Sequence, residues 1–183
     1  MKKFRKLHSD VKITLFNIDR EEALEKMKKF EVDFAIYPYD DIPVEFESKK
    51  IFEFEPYIMM HKDNPLAKKK DNEILLEDIL KNNNLNLGKG MTMPLIKDII
   101  TDKKMETDIR LINGSWEILK GLIKENLGIT GVAACYINTN DKELVYKNVF
   151  HILPNIIYKL VFYRNKHFNK FQIDILNILK ENK

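Results

Sequence analysis

Asn113-Gly-Ser-Trp-Glu-Ile-Leu-Lys-Gly-Leu-Ile-Lys-Glu-Asn-Leu-Gly-Ile-Thr-Gly-Val132 decides the fold. A strand ends at Asn113, and Ser115 is placed to cap a helix whose apolar stripe is Leu119, Leu122 and Ile123. Gly128 sits where a helix end needs a left-handed residue, and Ile129 opens the next strand. Strand, helix, strand in this order is a crossover, and a crossover predicts a parallel sheet.

Working outward, Ile109-Arg-Leu-Ile112 and Leu85-Asn-Leu87 read as further strands of that sheet. Ile74 to Leu80 reads as a short helix, and Gly88-Lys-Gly-Met-Thr-Met-Pro94 leads into a helix carrying Leu95, Ile96, Ile99 and Ile100. Nearer the start, Val11, Ile13 and Leu15 alternate with Lys12 and Thr14, which predicts a half-exposed strand. Asp19 is placed to cap a helix with Ala23, Leu24, Met27 and Phe30 on one face. Asp33-Phe-Ala-Ile-Tyr37 completes a second strand–helix–strand unit, again predicting a parallel pair. Ile51 to Met60 is a long extended run in which Pro56 bars a continuous ladder. Leu144 to Leu153 reads as a return connection, Ile157 to Tyr163 as a strand, and Phe168, Phe171, Ile175 and Leu179 mark a closing helix.

The expected fold is therefore α/β, with two Rossmann-like lobes joined by two crossover strands. Residues 1–60 with 151–183 form lobe I and residues 61–150 form lobe II. Hinged lobes of this kind hold a ligand in the cleft between them.

The composition narrows the function. At 183 residues and 44% hydrophobic the chain can bury a core, so it is not a disordered segment. Thirty-one basic residues against 28 acidic ones leave a net charge of +3. The basic residues are scattered, save for Lys68-Lys69-Lys70 and the start Lys2-Lys3-Phe4-Arg5-Lys6, so the chain itself is not read as a DNA binder. Cys135 is the only cysteine, which rules out an internal disulfide, and its apolar neighbours predict a small buried thiol. No apolar run follows the basic start and none approaches a membrane span, so a cytoplasmic location is expected. His8, His61, His151 and His167 lie far apart, and none has a second ligand-type residue at metal-site spacing. Glu53 and Glu55 share a strand face and raise the thought of a carboxylate pair, but among lysines they read as solvated charge. No nucleophile elbow, phosphate loop or cofactor signature is present, and no enzyme is expected.

Three segments carry a family resemblance. Ser115-Trp-Glu at a helix start, followed by Asn126-Leu-Gly-Ile-Thr130, resembles the effector-binding domain of LysR-type transcriptional regulators. Phe54-Glu-Pro-Tyr-Ile-Met-Met-His-Lys-Asp-Asn-Pro-Leu-Ala67 is similar to that family's crossover strand and its His-Pro-Leu-Ala-like turn. Phe30-Glu-Val-Asp-Phe-Ala-Ile36 is similar to its Gly-Glu-Leu-Asp pattern, with Phe30 in place of the glycine. The resemblance implies a type 2 periplasmic-binding-protein-like fold. It also implies a homodimer, to which the helices from Glu21 and Ser115 are possible contributors, and DNA contact only through a domain absent from this chain. Phe4 to Val11 looks like the end of the family's first helix, so the chain is expected to start one strand late.

The expected ligand is a small anionic metabolite, and no cofactor is called for. At Gly90, Met91 and Thr92 the helix start either is capped by Thr92 alone or uses the Thr92 hydroxyl and its open amides to bind an anion. The family resemblance points to the same helix start. Ser115 has the same two readings, with capping the simpler. Gly128, Ile129 and Thr130 are expected to form the facing wall, and Tyr37 to close the cleft from the other lobe. Two other classes stay open: a solute-binding protein of a transporter system, and a module that only dimerises.

Overall fold

In a computed structural model, residues 2–18, 20–38, 41–81, 85–88, 109–112 and 116–181 are described. The chain forms two compact units, one of Met1–Glu53 with Ile157–Lys183 and one of Phe54–Ile156.

The first unit holds helices α1 (Lys2–Leu7) and α2 (Arg20–Lys28) and strands β1 (Ala35–Tyr37) and β2 (Phe46–Phe54). Strand β8 (Ile156–Tyr163) and the C-terminal helix, α5 (Lys170–Glu181), complete it. Its sheet has the order β1-β8-β2, with Ala35 opposite Val161 in an antiparallel pair. The alternation of β8 serves two cores: Val161 packs with Leu24, Met27, Tyr37 and Phe46, whereas Leu160 and Phe162 pack with Ile51. A capping box starts α5, with the Asn169 and Gln172 side chains each accepting the other's backbone amide at 3.0 Å. Helix α1 is held to α5 by the fully buried Phe4 and by a 2.8 Å hydrogen bond between His8 Nε2 and Asp174 Oδ2.

Two expectations for this unit fail. Residues 11–15 form no strand, and β1 pairs with β8 in the antiparallel sense rather than with them in the parallel sense. The alternation is there, but a strand needs a neighbour to complete its ladder. Among the described residues the sheet offers none, and Leu15 stays 79% exposed. Helix α2 ends as its sequence position requires, with Phe30 at φ 57° and Glu31 N–H donating to the Lys26 carbonyl. A left-handed phenylalanine is strained; its ring stacks on Tyr163 at 5.2 Å, which offsets part of that cost.

The second unit is built on five strands: β3 (Pro56–His61), β4 (Leu85–Gly88), β5 (Ile109–Ile112), β6 (Ile129–Ala133) and β7 (Leu144–Asn148). Their order is β5-β4-β6-β3-β7. Strand β4 is parallel to β5 and β6, and β3 runs antiparallel to β6 and β7. Helices α3 (Leu76–Lys81) and α4 (Trp116–Lys124) accompany it. The predicted crossover is present: the chain leaves β5, passes along α4 and returns in β6 on the other side of β4. Ile58, Met60, Leu85, Leu87 and Ile129 face one core with Ile79 and Leu80, whereas Met59 and Val132 face another with Ile123 of α4. Both faces are covered, which is why β6 is buried along its whole length.

The end of α4 differs from the sequence reading. Asn126, at φ 55°, takes the left-handed cap position; its amide donates to Ile123 and that of Leu127 to Leu122. Gly128 follows at φ 125°, so glycine is required there for the turn into β6 rather than for the cap. The run 51–60 divides into β2 and β3 around Glu55, with Pro56 as the first residue of β3, where its missing amide does least harm. The segment read as a return connection contains β7, a full edge strand paired with β3.

Candidate functional site

The strand directions of the second unit gather five chain ends at one edge of its sheet. Gly88 ends β4 beside Ile112, which ends β5. Ala133 ends β6 opposite Pro56, and Asn148 ends β7 opposite Tyr57. In open α/β sheets ligands bind outside the carboxyl ends of the strands, and here β4, β5, β6 and β7 all finish on this edge.

Helix α4 starts at the same edge because it follows β5. Its first residue, Trp116, packs on Tyr136 with ring centroids 5.0 Å apart. Tyr136 belongs to the 3-10 turn Ala134–Tyr136 that follows β6. Tyr57 joins the same apolar cluster. At its rim the Glu55 carboxylate accepts 2.6 Å from Asn148 Nδ2 and 3.5 Å from the Tyr57 hydroxyl, both at Oε2. The Glu55 carbonyl accepts the Ala134 amide at 3.0 Å, which ties the turn to the start of β3. Glu55, Tyr57, Trp116, Tyr136 and Asn148 were not among the predicted site residues. They come from four separate stretches of sequence, which the register of β3 with β6 and β7 and the packing of α4 bring together.

The predicted site residues fall in different places. Gly90, Met91, Thr92 and Ser115 lie outside the described residues. Gly128 precedes β6 and Ile129 and Thr130 open it, at the opposite end of the sheet from Trp116; α4 has nine residues, so about 13 Å separates them. All three are buried. Among the described residues, the Thr130 hydroxyl is buried with no hydrogen-bond partner. Thr130, Met59 and Tyr146 form one cross-strand row, and the Tyr146 hydroxyl is likewise buried and unpartnered. Tyr37 lies in the other unit at the end of β1, 7% exposed, with burial pushing its phenol pKa up and nearby Asp41 adding to the rise against Arg20. Arg20 Nη2 donates to the Asp41 carbonyl at 2.7 Å and to its carboxylate at 2.8 Å.

Cys135 is exposed, not buried as its neighbours suggested. β6 ends at Ala133, and the tight turn that follows rotates the thiol out of the core. Partial desolvation nevertheless pushes its pKa up. Among the described residues no group of three His, Cys, Asp or Glu side chains is placed to hold a metal ion, and no helix is long and apolar enough to cross a membrane. The histidines are engaged locally: His61 Nδ1 accepts the Asp63 amide at 3.2 Å, and His151 Nε2 lies 2.9 Å from the Ile74 carbonyl.

Comparison with known proteins gives a consistent result. The cofactor-binding domain of the Cbl transcriptional regulator superposes with a TM-score of 0.85 at 20% identity, over 100% of this chain and 80% of that one. The effector-binding domain of QuiR in complex with shikimate gives 0.82 at 16%, over 99% and 87%. The CcmR regulatory domain of Synechocystis PCC6803 in complex with 2-PG gives 0.84 at 16%, over 99% and 88%. At such identities these likenesses show the fold, the two-lobe periplasmic-binding-protein-like α/β architecture. No match was found among curated proteins. The family model for the LysR substrate binding domain matches residues 1–176, which favours a regulator over a transporter's solute-binding protein. This chain belongs to the LysR substrate-binding domain family, the effector-sensing part of LysR-type transcriptional regulators.

Proposed function

We propose that this domain senses a small anionic metabolite at the carboxyl-end edge of its five-stranded sheet, is not an enzyme, and works in the cytoplasm as part of a homodimer. DNA contact belongs to a separate domain of the regulator. The observation that carries the proposal is the convergence of the ends of β4, β5 and β6 with the start of α4. In sequence, residues 90–92 come two to four positions after the last residue of β4 and Ser115 three after the last of β5. Open amides at a helix start favour a carboxylate or phosphate. Related domains carry shikimate and benzoate, both of which are carboxylates at neutral pH.

In this proposal Gly90, Met91, Thr92 and Ser115 touch the effector. Gly128, Ile129 and Thr130 shape β6 from its buried end. A thermal-shift screen of carboxylates and phosphates tests it. A ligand at about 100 times its Kd adds about 2.7 kcal/mol, which for a domain of this size is a rise of about 5–10 °C. Thr92→Val keeps the shape and removes the hydroxyl, so it should lose most of that rise. A Thr92→Val protein that responds as the parent does refutes the assignment, and so does a library with no responder.

A further inference from the structure

Along the chain the basic residues look scattered, yet the fold concentrates their excess. The unit of Met1–Glu53 with Ile157–Lys183 holds 17 basic and 14 acidic residues, and the unit of Phe54–Ile156 holds 14 of each. The whole net charge of +3 therefore sits in the first unit. Helix α1 alone carries Lys2, Lys3, Arg5 and Lys6, so without it the first unit has a net charge of −1. At about 100° per residue those four positions span an arc of about 160°, and its centre lies opposite Phe4. The burial agrees: Phe4 is 0% exposed, and all four cations are exposed. Among the described residues Lys2, Arg5 and Lys6 enter no ion pair. Asp174 is the acid that α5 presents to α1, and His8 takes it at 2.8 Å. The His8 ring also packs on Phe4 and Phe171, with centroids 4.9 and 5.0 Å apart, and the His8 amide donates to the Phe4 carbonyl at 2.9 Å. These contacts make α1 a fixed platform with one uniformly basic side.

We infer that the outer face of α1 is a docking surface for the sugar–phosphate backbone of DNA, adding a sequence-independent contact to that of the regulator's separate DNA-binding domain. The inference does not depend on the effector site proposed above. Charge complementarity carries it. A duplex is a dense, regular row of negative charge, and lysine and arginine side chains that neutralise its phosphates release condensed counterions. Four such side chains on one helix face can meet that row at once. A regulator of this family acts on DNA through another domain, which keeps this polyanion close to the chain. Because Phe4 and His8 anchor α1, its cations stay on one side and engage as a set, where a loose tail would spread them. Backbone contacts of this kind fix position on the duplex and carry no sequence information.

Fluorescence anisotropy with two unrelated labelled duplexes of equal length tests this on the intact chain. Both should bind alike at about 50 mM salt, and four phosphate contacts should give a slope of about −3.6 in log affinity against log salt. Lys2→Gln, Lys3→Gln, Arg5→Gln and Lys6→Gln together should weaken binding at that salt about ten-fold or more and flatten the slope by about 3. Glutamine is as good a helix former as lysine, so α1 stays formed in that variant. Lys2→Arg, Lys3→Arg and Lys6→Arg together keep the charge and should keep both affinity and slope. Lys62→Gln, Lys68→Gln, Lys70→Gln and Lys142→Gln together remove as much charge from exposed positions of the second unit and should change affinity by less than about two-fold. No binding by the parent at about 50 mM salt, an unchanged slope in the α1 glutamine variant, or an equal loss in the second-unit variant overturns the inference. A strong preference for one duplex overturns it as well. So does tighter binding at the same salt to vesicles of phosphatidylserine and phosphatidylcholine in equal parts, which assigns the face to a lipid surface.

Discussion

Trp116 and Tyr136 meet at 5.0 Å with their rings inclined by 47°, joining the first turn of α4 to the turn that ends β6. Trp116 is the only tryptophan in the chain, so its emission reports this contact without interference. Tyr136→Ala should shift that emission to the red and lower stability by about 1 kcal/mol for the ring pair, beyond the loss of buried area. Saturating effector should change the same emission in the parent. An unchanged spectrum in Tyr136→Ala shows that the rings are not in contact in solution.

Thr130 tests whether its hydroxyl is truly without a partner. A buried hydroxyl with no hydrogen bond carries an uncompensated desolvation cost of about 1–3 kcal/mol. Thr130→Val keeps the shape and removes that group, and it should raise the melting temperature by about 2–4 °C for each kcal/mol relieved. Tyr146→Phe should act in the same direction for the same reason. A fall in melting temperature in either variant means that the hydroxyl is bonded, most simply to an internal water.

Much of the second unit was legible because its signals are local. The stripe of Leu119, Leu122 and Ile123 and the small residues after Gly128 set a crossover, and the β5–α4–β6 path follows from them. What escaped depends on partners distant in sequence. The alternation of residues 11–15 is as regular as that of β8, yet β8 has β1 and β2 beside it and residues 11–15 have no strand neighbour among the described residues. Nothing around Cys135 announces a 3-10 turn, so an apolar string was read as buried. Glu55 is exposed, as its reading as solvated charge beside Glu53 expected. Its bond to Asn148, 93 residues away, is set by the pairing of β3 with β7.

Cys135 gives a chemical check on the site edge. The thiol is exposed, so a maleimide should label the native protein to completion. Its pKa lies above the usual thiol value, so the rate should be slower than that of an unstructured cysteine peptide at pH 7 and should recover as the pH rises. Because Cys135 lies in the turn whose next residue touches Trp116, bound effector should slow labelling further. A thiol that reacts only after unfolding would place it back in the core.

Asp141 anchors α4 to the loop before β7. Its side chain is 9% exposed and accepts from Lys120 Nζ at 3.1 Å and Lys124 Nζ at 2.9 Å. Lys124 also reaches Glu143 at 3.6 Å. The hydrogen bond from Lys124, with a further one from Lys120, outweighs desolvation and holds the Asp141 carboxyl below its ordinary pKa. The same pairing with Asp141 raises the pKa of Lys124. A depressed carboxyl stabilises the fold fully above its unfolded value, about 3.9, and that stability is lost as the pH falls through the lower folded value. A raised lysine stabilises it fully below about 10.4, and that contribution is lost as the pH rises through the higher folded value. Asp141→Asn should therefore cost about 2 kcal/mol at neutral pH, by loss of charge-assisted hydrogen bonds. That is a melting-temperature drop of about 4–8 °C. The gap between parent and variant should stay level from about pH 5 to 9 and close in stronger acid. Amide exchange should rise along α4, whose far half the two lysines hold down. A variant as stable as the parent at pH 7, or a gap that widens on acidification, rules out the anchor.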